Sequence, residues 1–157
     1  MKIIRGHIDL DNESIIKKCI QIPNQPGFVN VGPEILKNII CDRFMYNDQP
    51  HTWDELAPLV DEVLRLTYPH KITKSWFNMM VRGSYIVPHL HNNEVSEYVC
   101  TYYARCLPEH PSLEILDKKW TKLDVVTGDY LIFSKSTWHR VEEQTIDDIR
   151  FCISFNI

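Results

Sequence analysis

The pattern of hydrophobic and polar positions changes character near residue 70. Before that point apolar residues recur at helical spacing, and after it they alternate or crowd into short runs typical of strands. Residues 2–9 predict a short opening strand. A helix with Asp11 or Asn12 as N-cap is predicted next, because four apolar positions then fall on one helical face: Ile15, Ile16, Cys19 and Ile20.

Two further helices are predicted in this first part of the chain. Pro33 and Glu34 suit the first turn of one helix. The other begins at a capping box formed by Thr52 and Glu55. Pro58 removes a backbone donor within it, so we expect a kink or a late start. The apolar positions that define the two helices are Leu36, Ile39 and Ile40 in the first, and Leu56, Leu59, Val60, Val63 and Leu64 in the second.

Eight strands are predicted after Lys71, where β-branched and aromatic residues form runs separated by turn signals. The last run alternates most cleanly, since Ile149, Phe151 and Ile153 are apolar while Arg150 and Cys152 between them are polar or small. Such a series preceded by helices favours a mainly β fold, a β-sandwich or jelly roll with the helices packed on one sheet. A mixed α+β domain of another topology is the alternative. The predicted strands are 72–82, 84–90, 95–105, 112–117, 121–127, 129–134, 138–143 and 148–157.

Length and composition fit a single globular domain. The 157 residues suit one domain, with 1–70 as a mostly helical support and 71–157 as the jelly-roll core. A hydrophobic content of 44% is enough for a packed core, and the net charge of -4 argues against nucleic acid as a partner. No apolar run is long enough to span a membrane, and residues 1–13 lack the apolar stretch of a signal peptide. These features predict a cytoplasmic protein.

The five cysteines do not form a recognisable metal or disulfide pattern. Their number is odd and no Cys-x-x-Cys pair occurs, which argues against a zinc knuckle, a thioredoxin-type site and a disulfide framework. We therefore expect buried thiols in a reducing cytosol.

Three histidines have a placement that suits metal binding. His89 and His91 end an apolar run, and on extended chain their side chains project from the same face, about 6.6 Å apart at the backbone. His139 lies in the segment that directly follows the predicted strand 129–134, near the start of the next predicted strand. Isolated histidines are more often structural or solvated, so the pattern alone leaves both interpretations open.

Arg150 is the charged residue on the polar face of the last strand. Its neighbours on that face are small or uncharged: Cys152, Ser154 and Asn156. An arginine there suits a cavity that receives a carboxylate, because the guanidinium fork matches the two oxygens. The alternative is a surface arginine paired with Asp147 or Glu143.

The order of motifs after Trp76 resembles that of the 2-oxoglutarate- and Fe(II)-dependent oxygenases, in particular a small family with many phage and marine-bacterial members. This resemblance implies a double-stranded β-helix, the jelly roll expected from the strands, and it would fit a phage-encoded protein that acts in the host cytoplasm. The spacing of the Ser96/Tyr102-Tyr103 segment is looser than the family's. The motifs are Trp76-Phe77-Asn78, His89-Leu90-His91, Gly128-Asp129 with Phe133, His139-Arg140-Val141, and Arg150 followed by Ser154-Phe155-Asn156.

The resemblance also implies a set of site residues. His89 and His139 match the two histidines of the iron-binding triad, while His91 stands where the family has Asp or Glu. We take His91 as the third ligand and Glu94 as the second choice. The implied cosubstrate residues are Arg150 for the distal carboxylate, Ser154 beside it, and Asn78 or one of Tyr98 and Tyr102, with Tyr102 preferred of the two tyrosines.

The activity implied is that of a dioxygenase using Fe(II), 2-oxoglutarate and O₂. Oxidative decarboxylation of 2-oxoglutarate to succinate would be coupled to hydroxylation of an unidentified substrate, with His89, His91, His139 and Arg150 as the catalytic group. Trp76 and Trp138 are either exposed side chains that stack on a substrate or part of the core. The alternatives are a cupin-like metalloprotein that does not use 2-oxoglutarate, and a jelly-roll binding module with a vestigial site.

Overall fold

The computed structural model describes residues 2–21, 49–92 and 95–157. These residues form two α-helices, two short 3₁₀ turns and nine strands. The predicted helix after Pro33, Cys41 and the candidate ligand Glu94 lie outside the described residues. The elements are β1 (Ile4–His7), α1 (Asn12–Gln21), the 3₁₀ turns Pro50–Thr52 and Asp54–Leu56, α2 (Ala57–Leu66), β2 (Lys74–Met80), β3 (Ile86–His89), β4 (Tyr98–Arg105), β5 (Leu113–Asp117), β6 (Lys119–Leu123), β7 (Asp129–Ser134), β8 (His139–Val141) and β9 (Arg150–Asn156).

Two antiparallel sheets form the body of the fold. The main sheet has five strands in the order β1-β7-β4-β9-β2, and the second has four in the order β3-β8-β5-β6. The predicted mainly β jelly roll with N-terminal helices is confirmed. The eight strands predicted after Lys71 are all present, and β1 corresponds to the predicted opening strand.

The side chains of the main sheet alternate between two separate cores. One face packs against the helical layer, where Phe151 and Phe155 of β9 meet Ile15 of α1 and Leu59 of α2. The other face packs toward the second sheet and forms the interior of the jelly roll, which contains Cys152 of β9. Both faces of β9 are buried. The polar face of this strand therefore lies inside the protein and not in water.

The helix starts depend on local hydrogen bonding. Asp11 accepts hydrogen bonds from the backbone nitrogen and the hydroxyl of Ser14, at 3.2 and 2.7 Å, which confirms it as a cap of α1. The capping box proposed for α2 is wrong. The Thr52 hydroxyl donates to the Gln49 carbonyl oxygen at 2.8 Å, and Glu55 accepts from Lys18.

The late start expected for α2 is confirmed. The helix begins at Ala57 with Pro58 in its first turn. Proline is tolerated there because the first backbone N–H groups of a helix have no intrahelical partner.

The cysteines in the described part of the chain are free and buried: Cys19, Cys100, Cys106 and Cys152. This agrees with the expectation of buried thiols. In the same residues no helix has the length and apolar character needed to cross a membrane.

Candidate metal centre and the interior of the jelly roll

Three histidines meet at one end of the jelly-roll interior. Strands β3 and β8 are antiparallel, and their register places His89 opposite His139. His91 follows two residues after the end of β3, and one ring nitrogen from each of the three lies within 4.8 Å of the others. The ring centroids of His89 and His139 are 4.1 Å apart, and those of His91 and His139 are 5.2 Å apart. The three histidines singled out by the sequence therefore form one cluster.

Hydrogen bonds fix the tautomer of each ring. A carbonyl or amide oxygen can only accept, so each Nδ1 that contacts one must carry the proton. The Nε2 atom of each ring then has its lone pair available for a metal ion. The contacts are His89 Nδ1 with Val87 O at 2.8 Å, His139 Nδ1 with Thr137 O at 2.9 Å, and His91 Nδ1 with Asn156 Oδ1 at 3.0 Å.

Burial keeps the three imidazoles neutral. Desolvation lowers the pKa of His139 to about 3 and that of His91 to about 4, and in both cases the neighbouring His89 lowers it further. Burial also lowers the pKa of His89. No proton therefore has to leave the cluster at neutral pH before a metal ion binds.

His91 is held by stacking as well as by its hydrogen bond. Trp76 and His139 both stack on its ring, each with an interplanar angle of 17°. Trp76 is only 5% exposed, so it belongs to the packing of the site and not to an exposed stacking surface. Trp138 is 45% exposed and precedes His139 on the outside of the fold.

Arg150 lies inside the jelly roll, and no acidic partner for it occurs among the described residues. It is 1% exposed, and one guanidinium nitrogen contacts Met80 Sδ at 3.3 Å and Cys152 Sγ at 3.7 Å. Its guanidinium carbon lies 5.1 Å from the ring centroid of Tyr103. Within the described residues no carboxylate is within ion-pair distance of it, and Asp147 pairs with Arg82 instead. The surface ion pair considered from the sequence is therefore wrong.

A buried arginine in such surroundings needs an anion. Thioether and thiol sulfur atoms are weak acceptors. An uncompensated buried charge is unfavourable by several kcal/mol (order of magnitude), so the site is complementary to a carboxylate or another anion.

Five polar atoms on the inner face of the main sheet, one of them in Arg150, are buried without a partner in the described part of the chain. Native proteins leave few such atoms unpaired, and those that remain call for an explanation. Here they come from three adjacent strands, β2, β4 and β9, and together they line a polar interior able to receive a ligand. They are Trp76 Nε1, Asn78 Oδ1, Tyr103 Oη, Arg150 Nε and Asn156 Nδ2.

The structure places the predicted cosubstrate residues on different faces. Asn78 lies in the interior, where its amide nitrogen contacts Cys152 Sγ at 3.6 Å, and Ser154 lies on the same inner face of β9 as Cys152. Tyr102 does not reach this interior, because its hydroxyl donates to Asn12 Oδ1 at 2.6 Å on the helical side of the sheet. Tyr98, on the same side, packs against His70.

Two residues of the interior were given no role from the sequence. Tyr103 faces Arg150 from β4, whereas the sequence had offered its neighbour Tyr102 as a contact of the cosubstrate. The signal that could have found it is the two-residue period of β4, in which Val99 and Tyr103 share one face. Asn156 is the partner of His91, and its place in the terminal motif was the available signal.

No protein-family model matches this sequence, and no curated protein is similar to it in sequence. Solved structures do share its fold. A prolyl-4-hydroxylase from Pseudomonas putida is 13% identical, with a TM-score of 0.67 over 98% of this chain and 91% of that one. HygX from Streptomyces hygroscopicus, solved with nickel and 2-oxoglutarate bound, is 14% identical, with a TM-score of 0.66 over 98% of this chain and 80% of that one.

A third structure extends the range of reactions found on this fold. SnoN, a non-haem α-ketoglutarate-dependent epimerase from nogalamycin biosynthesis, is 11% identical, with a TM-score of 0.74 over 98% of this chain and 76% of that one. A hydroxylase and an epimerase among similar structures mean that the fold does not define the reaction. The chain has the jelly-roll fold of the 2-oxoglutarate- and Fe(II)-dependent oxygenases, and its three-histidine cluster lies in the interior of that fold.

Proposed function

We propose that this protein is an Fe(II)- and 2-oxoglutarate-dependent dioxygenase that hydroxylates a substrate still to be identified. The observation that carries the proposal is Arg150, a buried arginine without a carboxylate partner in the described residues, in the same interior as the three-histidine cluster. An enzyme of this kind needs a metal site and, beyond it, a cation for the far carboxylate of the cosubstrate.

The donor chemistry of the cluster fits Fe(II). Imidazole is a good ligand for divalent iron, and the Nε2 atoms of His89, His91 and His139 are neutral and aligned by their Nδ1 hydrogen bonds. The three histidines would hold the metal ion and leave room at it for the cosubstrate.

The remaining interior fits 2-oxoglutarate. Arg150 would bind the distal carboxylate through its guanidinium fork, and the unpartnered Tyr103 hydroxyl would donate to the same group. Asn78 and Ser154 lie between this end and the histidines on the inner face of β2 and β9, where they would contact the cosubstrate along its length.

Bound iron and 2-oxoglutarate would supply the oxidising chemistry, in which one oxygen atom of O₂ goes into succinate as CO₂ leaves and the other enters a C–H bond of the substrate. The histidines would hold the metal, and Arg150 would orient the cosubstrate. Apolar side chains around the site, including Leu131, Phe133 and Val141, exclude water from it.

A cupin-like metalloprotein that does not use 2-oxoglutarate is the second candidate. It is favoured by His91, which stands where a carboxylate ligand would be expected and makes the set all-histidine. Arg150 separates the two candidates, because a site without a dicarboxylate cosubstrate has no evident use for a buried, unpaired cation.

The test is cosubstrate turnover. Protein loaded anaerobically with Fe(II) is titrated with 2-oxoglutarate, and the metal-to-ligand charge-transfer absorption is followed; release of labelled CO₂ and succinate is then measured in air. We expect a saturable band and succinate formation, both abolished in His139→Ala. Iron binding without either signal would reject the dioxygenase and favour the cupin-like protein.

A further inference from the structure

Among the residues that the structure describes, the charges around the proposed metal site do not balance. The three histidines are neutral ligands, so a divalent ion keeps its full charge, and Arg150 adds one more positive charge in the same interior. Together these three positive charges exceed the two negative charges of 2-oxoglutarate by one. In the described part of the chain the buried acidic residue is Glu114, and its carboxylate bonds Arg140 at 2.9 Å on the outer face of the second sheet.

The surroundings of His91 offer hydrogen-bond donors without acceptors. Trp76 Nε1 and Asn156 Nδ2 both belong to side chains that contact His91, and both are buried without a partner in the described residues. The Lys74 ammonium lies 5.8 Å from the Trp76 ring centroid and adds positive potential on this side. A ligand that completes these contacts must bring acceptor oxygens.

We propose that a second anionic group binds beside His91, in addition to 2-oxoglutarate, and that the substrate supplies it as a carboxylate. This inference rests on the proposed function. One excess positive charge matches a monoanion, and two N–H donors match the two oxygens of a carboxylate. His91, in place of the usual carboxylate ligand, then selects acidic substrates by leaving this charge uncompensated.

The test uses small anions as probes of the loaded site. Protein loaded with Co(II) and saturated with 2-oxoglutarate is titrated with azide, and the visible absorption of the metal is recorded. Acetate and acetamide, which have nearly the same shape and differ in charge, are then used to compete with azide. We expect acetate to displace azide at concentrations about tenfold or more below those at which acetamide does.

Two variants test whether the second anion binds beside His91. His91→Asp restores a negative ligand, so azide and acetate should bind about tenfold or more weakly than in the wild type. Trp76→Phe keeps an aromatic ring on His91 and removes the N–H donor. It should weaken azide and acetate about threefold to tenfold, a larger loss than it causes in the Co(II) and 2-oxoglutarate affinities.

The outcomes separate this inference from the function on which it rests. Failure of the wild type to bind Co(II) or 2-oxoglutarate rejects the proposed function and this inference with it. Normal binding of both, with acetate no better than acetamide, rejects the second anion alone. The inference is equally rejected if Trp76→Phe weakens 2-oxoglutarate and leaves azide unaffected, since the donor would then serve the cosubstrate.

Discussion

His91 Nδ1 donates a hydrogen bond to Asn156 Oδ1 at 3.0 Å, and this bond joins the third histidine to the last residue of β9. His89 and His139 are instead oriented by main-chain carbonyl oxygens two residues before them. The orientation of His91 therefore depends on a side chain from the opposite sheet, and it can be altered by one substitution outside the three-histidine cluster.

Asn156→Ala should lower metal affinity by about tenfold to a hundredfold, because loss of the partner frees the His91 ring. Asn156→Asp keeps an acceptor at the same place and is the matched control, expected to bind metal at least as well as the wild type. Competition with a chromophoric chelator measures both affinities. Wild-type affinity in Asn156→Ala would mean that stacking by Trp76 alone orients His91.

His89→Ala and His139→Ala should each lose bound iron, since removal of one of three ligands leaves too few donors. His91→Asp should retain the metal, because it restores an anionic ligand at the same position. Metal content after anaerobic loading and desalting is the measurement. Stoichiometric iron in either alanine variant would refute the ligand assignment. Loss of metal in His91→Asp together with normal content in His91→Ala would instead make Glu94 the ligand to examine.

Arg150→Ala should raise the 2-oxoglutarate concentration required for half-saturation about tenfold to a hundredfold and leave iron binding nearly unchanged. A charge-assisted bond to a carboxylate contributes on the order of 1.5–3 kcal/mol, which corresponds to that range. Arg150→Lys should recover only part of the affinity, because an ammonium group lacks the planar fork. The titration with 2-oxoglutarate is followed by the metal-to-ligand charge-transfer absorption. Undiminished 2-oxoglutarate binding in Arg150→Ala would contradict the proposal that Arg150 binds the distal carboxylate.

Arg150→Met should stabilise the ligand-free protein by about 1–3 kcal/mol, because it removes a buried charge that no carboxylate in the described residues neutralises. The same variant should gain no stability from added 2-oxoglutarate, whereas the wild type should. Chemical denaturation with and without the cosubstrate tests both statements. A less stable ligand-free Arg150→Met would show that the sulfur and aromatic contacts of Arg150 already compensate its charge.

Tyr103→Phe should weaken 2-oxoglutarate binding about threefold to tenfold through loss of one hydroxyl donor. Tyr102→Phe is its matched control, since the neighbouring hydroxyl bonds Asn12 on the other side of the sheet. That variant should lose about 1 kcal/mol of stability and bind the cosubstrate normally. Weakened cosubstrate binding in Tyr102→Phe, with normal binding in Tyr103→Phe, would instead place the cosubstrate on the helical side of β4.

The strands could be predicted from the sequence because they depend on local patterns, and the alternation of β9 identified its two faces. The three-histidine cluster followed from the order of the motifs that resemble the oxygenases, since the histidine pattern alone left its role open. The choice between Tyr102 and Tyr103 could not be made, because two adjacent aromatic residues suit either face of a strand that is buried on both sides.

Other errors arose from tertiary contacts that outweigh local preference. Thr52 and Glu55 have the spacing of a capping box, but Glu55 pairs with Lys18 of α1 and the helix starts after a second 3₁₀ turn. Trp76 was left open between an exposed stacking surface and the core, and its stacking on His91 together with its burial places it in the core. Neither partner is near in sequence, so no local pattern could reveal these contacts.

The burial of both faces of β9 links the stability of the helical layer to the occupancy of the interior. Phe151 and Phe155 pack the strand against the helices. On its other face Arg150 is the proposed contact of the cosubstrate, and Asn156 orients His91. A ligand that binds only the folded strand lowers the population of molecules in which it has opened. Binding of the ligand should therefore slow amide hydrogen exchange in β9 and also in α1 and α2, which lie on the opposite side of the sheet from the proposed ligand site.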